Sequence, residues 1–179
     1  AASDVYKRQP VAYTFKAKME VQYDNPYEIG MTGLLGLPSA YGAMHESDLL
    51  LLLGTDFPYD CFLPSECRIA QVDIRPERIG RRARVGLGLA GDVKDTLQAL
   101  LPMLRERSDR TFLDRQLKIY RALCDDMAAV ASKRGSTGNI APEYVATLID
   151  SLASDSAIFT VDTGMCCVWG ARSVSYTHL

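Results

Sequence analysis

The feature that most constrains the fold is the leucine run Leu49 to Leu53, closed by Gly54-Thr55-Asp56. A continuous apolar run bounded by turn residues suits a buried strand covered on both faces, as in a parallel sheet. Arg68 to Ile74 reads as a second such strand, stopped by Pro76. Pro76 to Gly80 then forms a turn or a single helical turn. Arg82 to Leu89 alternates and reads as a third, edge-like strand. Strands alternating with helical stretches predict an α/β fold, a mainly parallel sheet with flanking helices.

Upstream, Val11 to Lys18 alternates loosely and reads as a strand. Asp24 to Gly36 carries Pro26, Gly30, Gly33 and Gly36 and reads as a loop. Ser39 is placed to cap a short helix running to about Glu46, with Ala40, Ala43 and Met44 on its apolar face. Downstream, Asp92 caps a helix bearing Val93, Leu97, Leu100, Leu101 and Leu104. Pro102 predicts a kink or stop near Leu101. Thr111 to Val130 has the period of a longer amphipathic helix. Lys133 to Asn139 is a Gly/Ser/Thr linker and marks a domain boundary. Beyond it, Ile140-Ala141-Pro142-Glu143 opens a helix to about Leu152. Ala157 to Val161 reads as a strand, and Gly164 to Arg172 as a further helix.

This organisation predicts one partial domain over 10–134 and the start of a second α/β domain over 140–173. Residues 1–9 and 174–179 fit no element around them and resemble translated adaptor sequence. They are set outside the fold, so His178 carries no functional weight and the chain reads as an internal piece.

At 179 residues and 47% hydrophobic, the chain is long enough to bury a sizeable core. A net charge of −2 gives no broad attraction to nucleic acid. The local basic strip Arg75, Arg78, Arg81, Arg82, Arg84 lacks interleaved aromatics and reads as a solvated or interface-facing strip. The five cysteines form no CxxC pair, and zinc would need a tighter cluster of ligands. Reduced cysteines in a cytoplasmic protein are expected. No apolar run is long enough to span a bilayer, and no signal peptide is seen.

Three loops carry binding chemistry. Thr32-Gly33-Leu34-Leu35-Gly36 precedes a helix start, where glycines let backbone N–H groups approach a phosphate or sugar. The alternative is a plain turn. Gly54-Thr55-Asp56-Phe57-Pro58-Tyr59 follows a strand, and ligands of open α/β sheets bind outside such carboxyl ends. It could equally cap the sheet. Asp73 ends the next strand, where a carboxylate can bond ribose hydroxyls or cap the following turn. Gly86-Leu87-Gly88-Leu89-Ala90-Gly91 matches the GxGxxG dinucleotide pattern, but no acidic-ended strand follows at the required spacing. There Gly86 and Gly88 thin a strand and Gly91-Asp92 starts a helix. Asp162-Thr163-Gly164 offers a strand-to-helix turn suited to a pyrophosphate or to an ordinary turn. Trp169 reads as core. Cys166 and Cys167 lie near a helix start without a visible base and read as packing cysteines. No catalytic residue and no metal ligand is assigned.

These blocks resemble the pyruvate oxidase and quinone-dependent pyruvate dehydrogenase branch of the thiamine-diphosphate enzymes. The likeness runs from about Pro10 to Arg172. It is carried by Tyr23 to Gly36, Leu53 to Tyr59, Val72-Asp73-Ile74 with Pro76 and Ile79-Gly80, Gly91 to Lys94, and Val161 to Gly164 with Val168-Trp169. The resemblance implies a central FAD-binding domain followed by the start of a pyrophosphate-binding domain. It places Thr32, Gly33, Leu34 and Leu35 along FAD, with Thr55, Asp56, Phe57, Pro58 and Tyr59 continuing that contact. Asp73 would hold the adenosine part, and Asp162, Thr163 and Gly164 would approach thiamine diphosphate.

The implied reaction is oxidative decarboxylation of pyruvate, with electrons passing through FAD to quinone or oxygen. Thiamine diphosphate and Mg2+ would be held mainly by parts outside this chain, so the chain alone is expected to be inactive. A homo-oligomer is expected, cytoplasmic or peripheral at the inner membrane. Acetolactate synthase or glyoxylate carboligase, with structural FAD, is the nearer alternative. Leu34-Leu35, where synthases typically carry Met-His, and Asp24-Asn25-Pro26-Tyr27 favour the oxidase branch. A non-catalytic nucleotide-binding module is the alternative from another class.

Overall fold

The computed structural model describes residues 8–22, 24–132, 139–154 and 156–174. Tyr23, which opens the first quoted motif, most of the Lys133 to Asn139 linker, and His178 lie outside the described residues. The architecture is α/β, with parallel strands and flanking helices. Strand β1 (Val11–Tyr13) pairs in parallel with β2 (Glu28–Met31). A second sheet has the order β3 (Leu49–Leu53), β4 (Arg68–Asp73), β5 (Leu87–Ala90), again parallel throughout. The helices are α1 (Lys18–Val21), α2 (Pro38–Glu46), α3 (Val93–Leu100), α4 (Thr111–Ala131), α5 (Pro142–Leu152) and α6 (Met165–Ser173).

The helices follow their local chemistry. Asp92 caps α3, its Oδ1 accepting from the Asp95 N–H at 3.1 Å. Pro102 lies in the 3-10 turn that ends this stretch. Pro142 takes the first position of α5, where its missing N–H costs nothing. Helices α2 and α4 cover β2: Tyr27, Ile29, Ala43, Leu113 and Leu117 form one buried cluster. Ala40, Ala43 and Met44 are buried, as the apolar face of α2 requires. Ser39, however, does not cap it. Leu37 stands at the cap, and the Ser39 hydroxyl donates to the Ile29 carbonyl at 2.7 Å, pinning α2 to β2.

Several strand expectations are corrected. The first strand stops at Tyr13, and Phe15 to Val21 turns helical. The expected loop Asp24 to Gly36 contains β2. The third strand begins at Leu87 rather than Arg82. Ala157 to Val161 forms no strand. Strand β3 is not covered on both faces: Leu49, Leu51 and Leu53 are 48%, 42% and 36% exposed. In register, Leu51 lies beside Ala70 and Leu87, and Leu53 beside Val72 and Leu89, so these leucines share one largely bare face. The opposite face is capped by the turn after β4. There Gln71 accepts from the Gly80 N–H at 3.0 Å and donates to the Arg78 carbonyl at 3.3 Å. Gly88 fits this face because a Cβ there would meet the Ile79 side chain at 2.5 Å.

The segment after residue 139 packs back on the first part. Ala171 of α6 joins Tyr13 and Met31 in a buried cluster. Val174, grouped by sequence with the terminal segment, is buried, and its carbonyl accepts from the Lys18 ammonium at 2.5 Å. Trp169 packs against the Ala146 and Val174 cluster, as a core residue.

Candidate functional site

Parallel strands bring their carboxyl ends to one edge, and the candidate loops form there. The chain leaves β2, crosses Thr32 to Leu37 and enters α2. Three backbone bonds shape this crossing: Thr32 N–H to the Tyr13 carbonyl, Gly36 N–H to the Gly33 carbonyl, and Leu37 N–H to the Met31 carbonyl, each 2.8 Å. Among the described residues, the N–H groups of Gly33, Leu34 and Leu35 have no backbone acceptor. Consecutive free N–H groups in a tight turn form an anion-binding concavity. Gly36 is required by space, since a Cβ there would lie 2.8 Å from the Gly33 oxygen and from Thr32 backbone atoms. Gly33 has φ +95°, and a Cβ added there would lie 3.2 and 3.4 Å from ring atoms of Phe57 and Tyr59.

The first two candidate loops therefore meet. Phe57 is buried, Tyr59 stands edge-on to it at 5.8 Å between centroids, and Leu34 is exposed beside this wall. Gly54, with φ +61°, turns the chain out of β3, its N–H bonded to the Val72 carbonyl at 2.8 Å. Thr55 is half-buried and Pro58 exposed in that turn. The Asp56 carboxylate is engaged by Arg81 at 3.2 Å and Arg82 at 3.3 Å, which accounts for part of the basic strip.

Asp73 ends β4 beside this loop and is 2% exposed. Its Oδ1 accepts the Arg75 N–H at 2.9 Å, while its Oδ2 is buried with no hydrogen-bond partner. Buried polar atoms are nearly always paired, so an orphaned carboxylate oxygen asks for a donor. A ligand hydroxyl would supply one.

The Asp162-Thr163-Gly164 turn stands apart. The Asp162 side chain accepts its neighbour Thr163 N–H at 2.6 Å, and Gly164, with φ +134°, leads into α6. Among the described residues, no hydrogen bond joins Asp162, Thr163 or Gly164 to the other two loops. The link runs through the far end of α6. There Arg172 donates from Nε to the Leu35 carbonyl at 3.1 Å and from Nη2 to the Gly36 carbonyl at 2.6 Å.

Behind the glycine loop lies a half-buried polar group that sequence reasoning missed. Glu28 Oε1 accepts hydroxyls from Tyr120 at 2.7 Å and Tyr13 at 2.9 Å. Burial pushes the Glu28 carboxyl above its ordinary range, against the pull of those two hydroxyls and of Lys18. Burial lowers the Lys18 ammonium, opposed by Asp150 and Glu28. Burial and the Glu28 charge raise the Tyr120 phenol, and burial raises the Cys124 thiol, which disfavours a reactive thiolate. Tyr13, Tyr120, Cys124, Met31 and Arg172 help line a cavity of about 350 Å³ beside the loop. Only the partners' distance in sequence hides this group. Among the described residues, no group of three or more His, Cys, Asp or Glu is placed to hold a metal ion, and no helix is long and apolar enough to cross a membrane.

Residues 7–100 match the family model for the central domain of thiamine pyrophosphate enzymes. The chain is 33% identical to a Bacillus subtilis protein named as thiamine pyrophosphate-containing, YdaP, over 91% of this chain and 28% of that one. It is 30% identical to acetolactate synthase of Mycobacterium avium, over 93% of this chain and 28% of the synthase. Over 64% of its length it is 55% identical to a 42.6 kDa protein from the isoamylase 3' region of Pseudomonas amyloderamosa, of which it covers 29%. The chain thus spans less than a third of the length of these relatives.

Proposed function

The chain belongs to the thiamine pyrophosphate enzyme family, whose central domain it matches, and on that premise we propose that it serves a pyruvate oxidase or quinone-dependent pyruvate dehydrogenase. In this reading the larger protein decarboxylates pyruvate oxidatively, and electrons pass through FAD to a quinone or to oxygen. FAD, when bound, supplies the two-electron acceptor, and thiamine diphosphate with Mg2+ supplies the decarboxylation chemistry. The proposed domain division is a central FAD domain over 10–134 and the start of a pyrophosphate-binding domain over 140–173. The larger protein is proposed as a homo-oligomer that is cytoplasmic or peripheral at the inner membrane.

The single observation that carries the reading is the edge formed by the glycine loop, the aromatic wall and Asp73. Thr32, Gly33, Leu34 and Leu35 would lie along the flavin nucleotide, their free N–H groups directed at its phosphate or ring oxygens. Thr55, Asp56, Phe57, Pro58 and Tyr59 would continue the contact and shield it from water. Asp73 Oδ2, buried and unpartnered, would accept a ribose hydroxyl of the adenosine half. Asp162 and Gly164 would face thiamine diphosphate at the other end of α6. The residues present fit a dinucleotide, because the loop N–H groups of Gly33, Leu34 and Leu35 lack a backbone acceptor and the buried Asp73 Oδ2 lacks a donor.

A second reading is favoured by the acetolactate synthase relatives: a synthase-type enzyme in which FAD is structural. Leu34-Leu35 in the glycine loop and the preceding Asp24-Asn25-Pro26-Tyr27 weigh toward the oxidase branch. The deciding experiment uses the longer protein that carries this chain, given pyruvate, thiamine diphosphate and Mg2+ without oxygen. Bleaching of the flavin absorbance supports the oxidase reading. A flavin that stays oxidised while pyruvate is consumed supports the synthase reading.

A further inference from the structure

We propose that Arg172 is a positioning residue, which holds the glycine loop in its ligand-receiving shape and ties that loop to the helix that follows Asp162-Thr163-Gly164. The inference rests on the flavin reading of the loop and adds a residue to it.

The geometry is specific. One guanidinium reaches two consecutive carbonyls, those of Leu35 and Gly36, from a position 137 and 136 residues away. Arg presents its N–H donors in a rigid planar fork, so a double contact fixes orientation as well as distance. In a tight turn, carbonyl and N–H directions are coupled through the peptide planes. Holding the Leu35 and Gly36 carbonyls toward Arg172 therefore sets the planes on the C-terminal side of the free Gly33, Leu34 and Leu35 N–H groups.

The second end of α6 gives the contact its consequence. The helix runs from Met165 to Ser173 directly after Gly164, and Ala171 is buried against Tyr13 and Met31. Met31 immediately precedes the glycine loop. Arg172 thus joins, through one short rigid element, the loop proposed to hold FAD and the turn proposed to face thiamine diphosphate. Arg172 itself is exposed, so truncating it removes the two bonds without opening a core cavity.

The test compares the longer protein that carries this chain with its Arg172→Ala and Arg172→Lys variants. Three properties are read: FAD affinity by flavin fluorescence titration, amide hydrogen exchange at Gly36 and Leu37, and the melting temperature. Arg172→Ala is expected to weaken FAD binding about tenfold, the scale of one or two lost charged hydrogen bonds. It should also speed exchange at Gly36 and Leu37 while leaving β3 and β4 protection and the melting temperature unchanged. Arg172→Lys should recover part of the affinity, and millimolar methylguanidine added to Arg172→Ala should restore it, which a general loss of packing does not predict. Unchanged FAD affinity and unchanged loop exchange overturn the proposal. So does a weakening that comes with protection lost throughout the fold and no rescue. If the unaltered longer protein binds no FAD, the flavin reading fails, and the loop exchange alone decides the role of Arg172.

Discussion

The Tyr120 hydroxyl donates to Glu28 Oε1 at 2.7 Å across 92 residues of sequence. With Tyr13 donating to the same oxygen at 2.9 Å, it fastens helix α4 to the β1–β2 sheet beneath the glycine loop. Removing the Tyr120 hydroxyl leaves a half-buried carboxyl with one donor fewer. Tyr120→Phe is expected to destabilise the fold by about 1–3 kcal/mol, measured by urea unfolding. An unchanged unfolding midpoint would contradict the pairing.

Glu28 also predicts a pH dependence. Its carboxyl is raised in the folded state, chiefly by burial, above its ordinary value of 4.5. The folded state then binds a proton that the unfolded state releases. That contribution is fully present below the ordinary value and is lost as pH rises through the raised folded value. Stability should therefore fall over the window just above pH 4.5, and Glu28→Gln should flatten that slope. Gln keeps a carbonyl acceptor for the tyrosines. Equal slopes in thermal unfolding across this window would refute the assignment.

Gly36→Ala places a methyl 2.8 Å from backbone atoms of Thr32 and Gly33, which cannot move aside without reshaping the loop. Gly33→Ala adds strain at a φ of +95° against the Phe57 ring. Each should cost about 1–3 kcal/mol and weaken FAD binding more than a comparable change at Gly42, whose added Cβ meets nothing within 4 Å. Isothermal titration with FAD distinguishes the three.

Asp73→Asn keeps the oxygen that caps Arg75 but can replace the unpartnered oxygen with an NH2 donor. The fold should survive, while FAD affinity falls about tenfold through loss of one charged acceptor. An Asn variant that binds FAD as tightly as the parent would remove Asp73 from the adenosine contact.

Asp92→Ala removes the side-chain cap of α3 and should cost about 1 kcal/mol in chemical denaturation, with FAD affinity unchanged. A loss of FAD affinity here would show that the α3 start takes part in the site.

The helices were readable because their signals are local: Asp92 at a cap, Pro102 at a stop, Pro142 at a first turn, and apolar spacing through Thr111 to Ala131. Strand β2 was hidden because Gly30 looked like loop chemistry. It is instead a close-approach glycine, whose Cβ would meet Leu37 and Tyr120 at 2.9 Å. The leucine run of β3 shows that both faces are apolar, and composition alone cannot say which are covered. Residues 157–161 are apolar enough for a strand, yet none forms there among the described residues. At the site, the glycine loop, the Phe57–Tyr59 wall and Asp73 were recognisable from turn chemistry at strand ends. Arg172 and the Glu28–Tyr120 pair were not, because what defines them is a partner brought near only by the fold.

The bare leucine face of β3 bears on how the chain behaves in concentrated solution. β3 is the outer strand of its sheet, and among the described residues nothing pairs with its free side. Five leucines with no charge or proline among them make a ready template for cross-β stacking by another molecule. The guarding residue is Asp48, immediately before the run. A charge at that position breaks the apolar run, and fibril formation on prolonged storage should accelerate in Asp48→Asn.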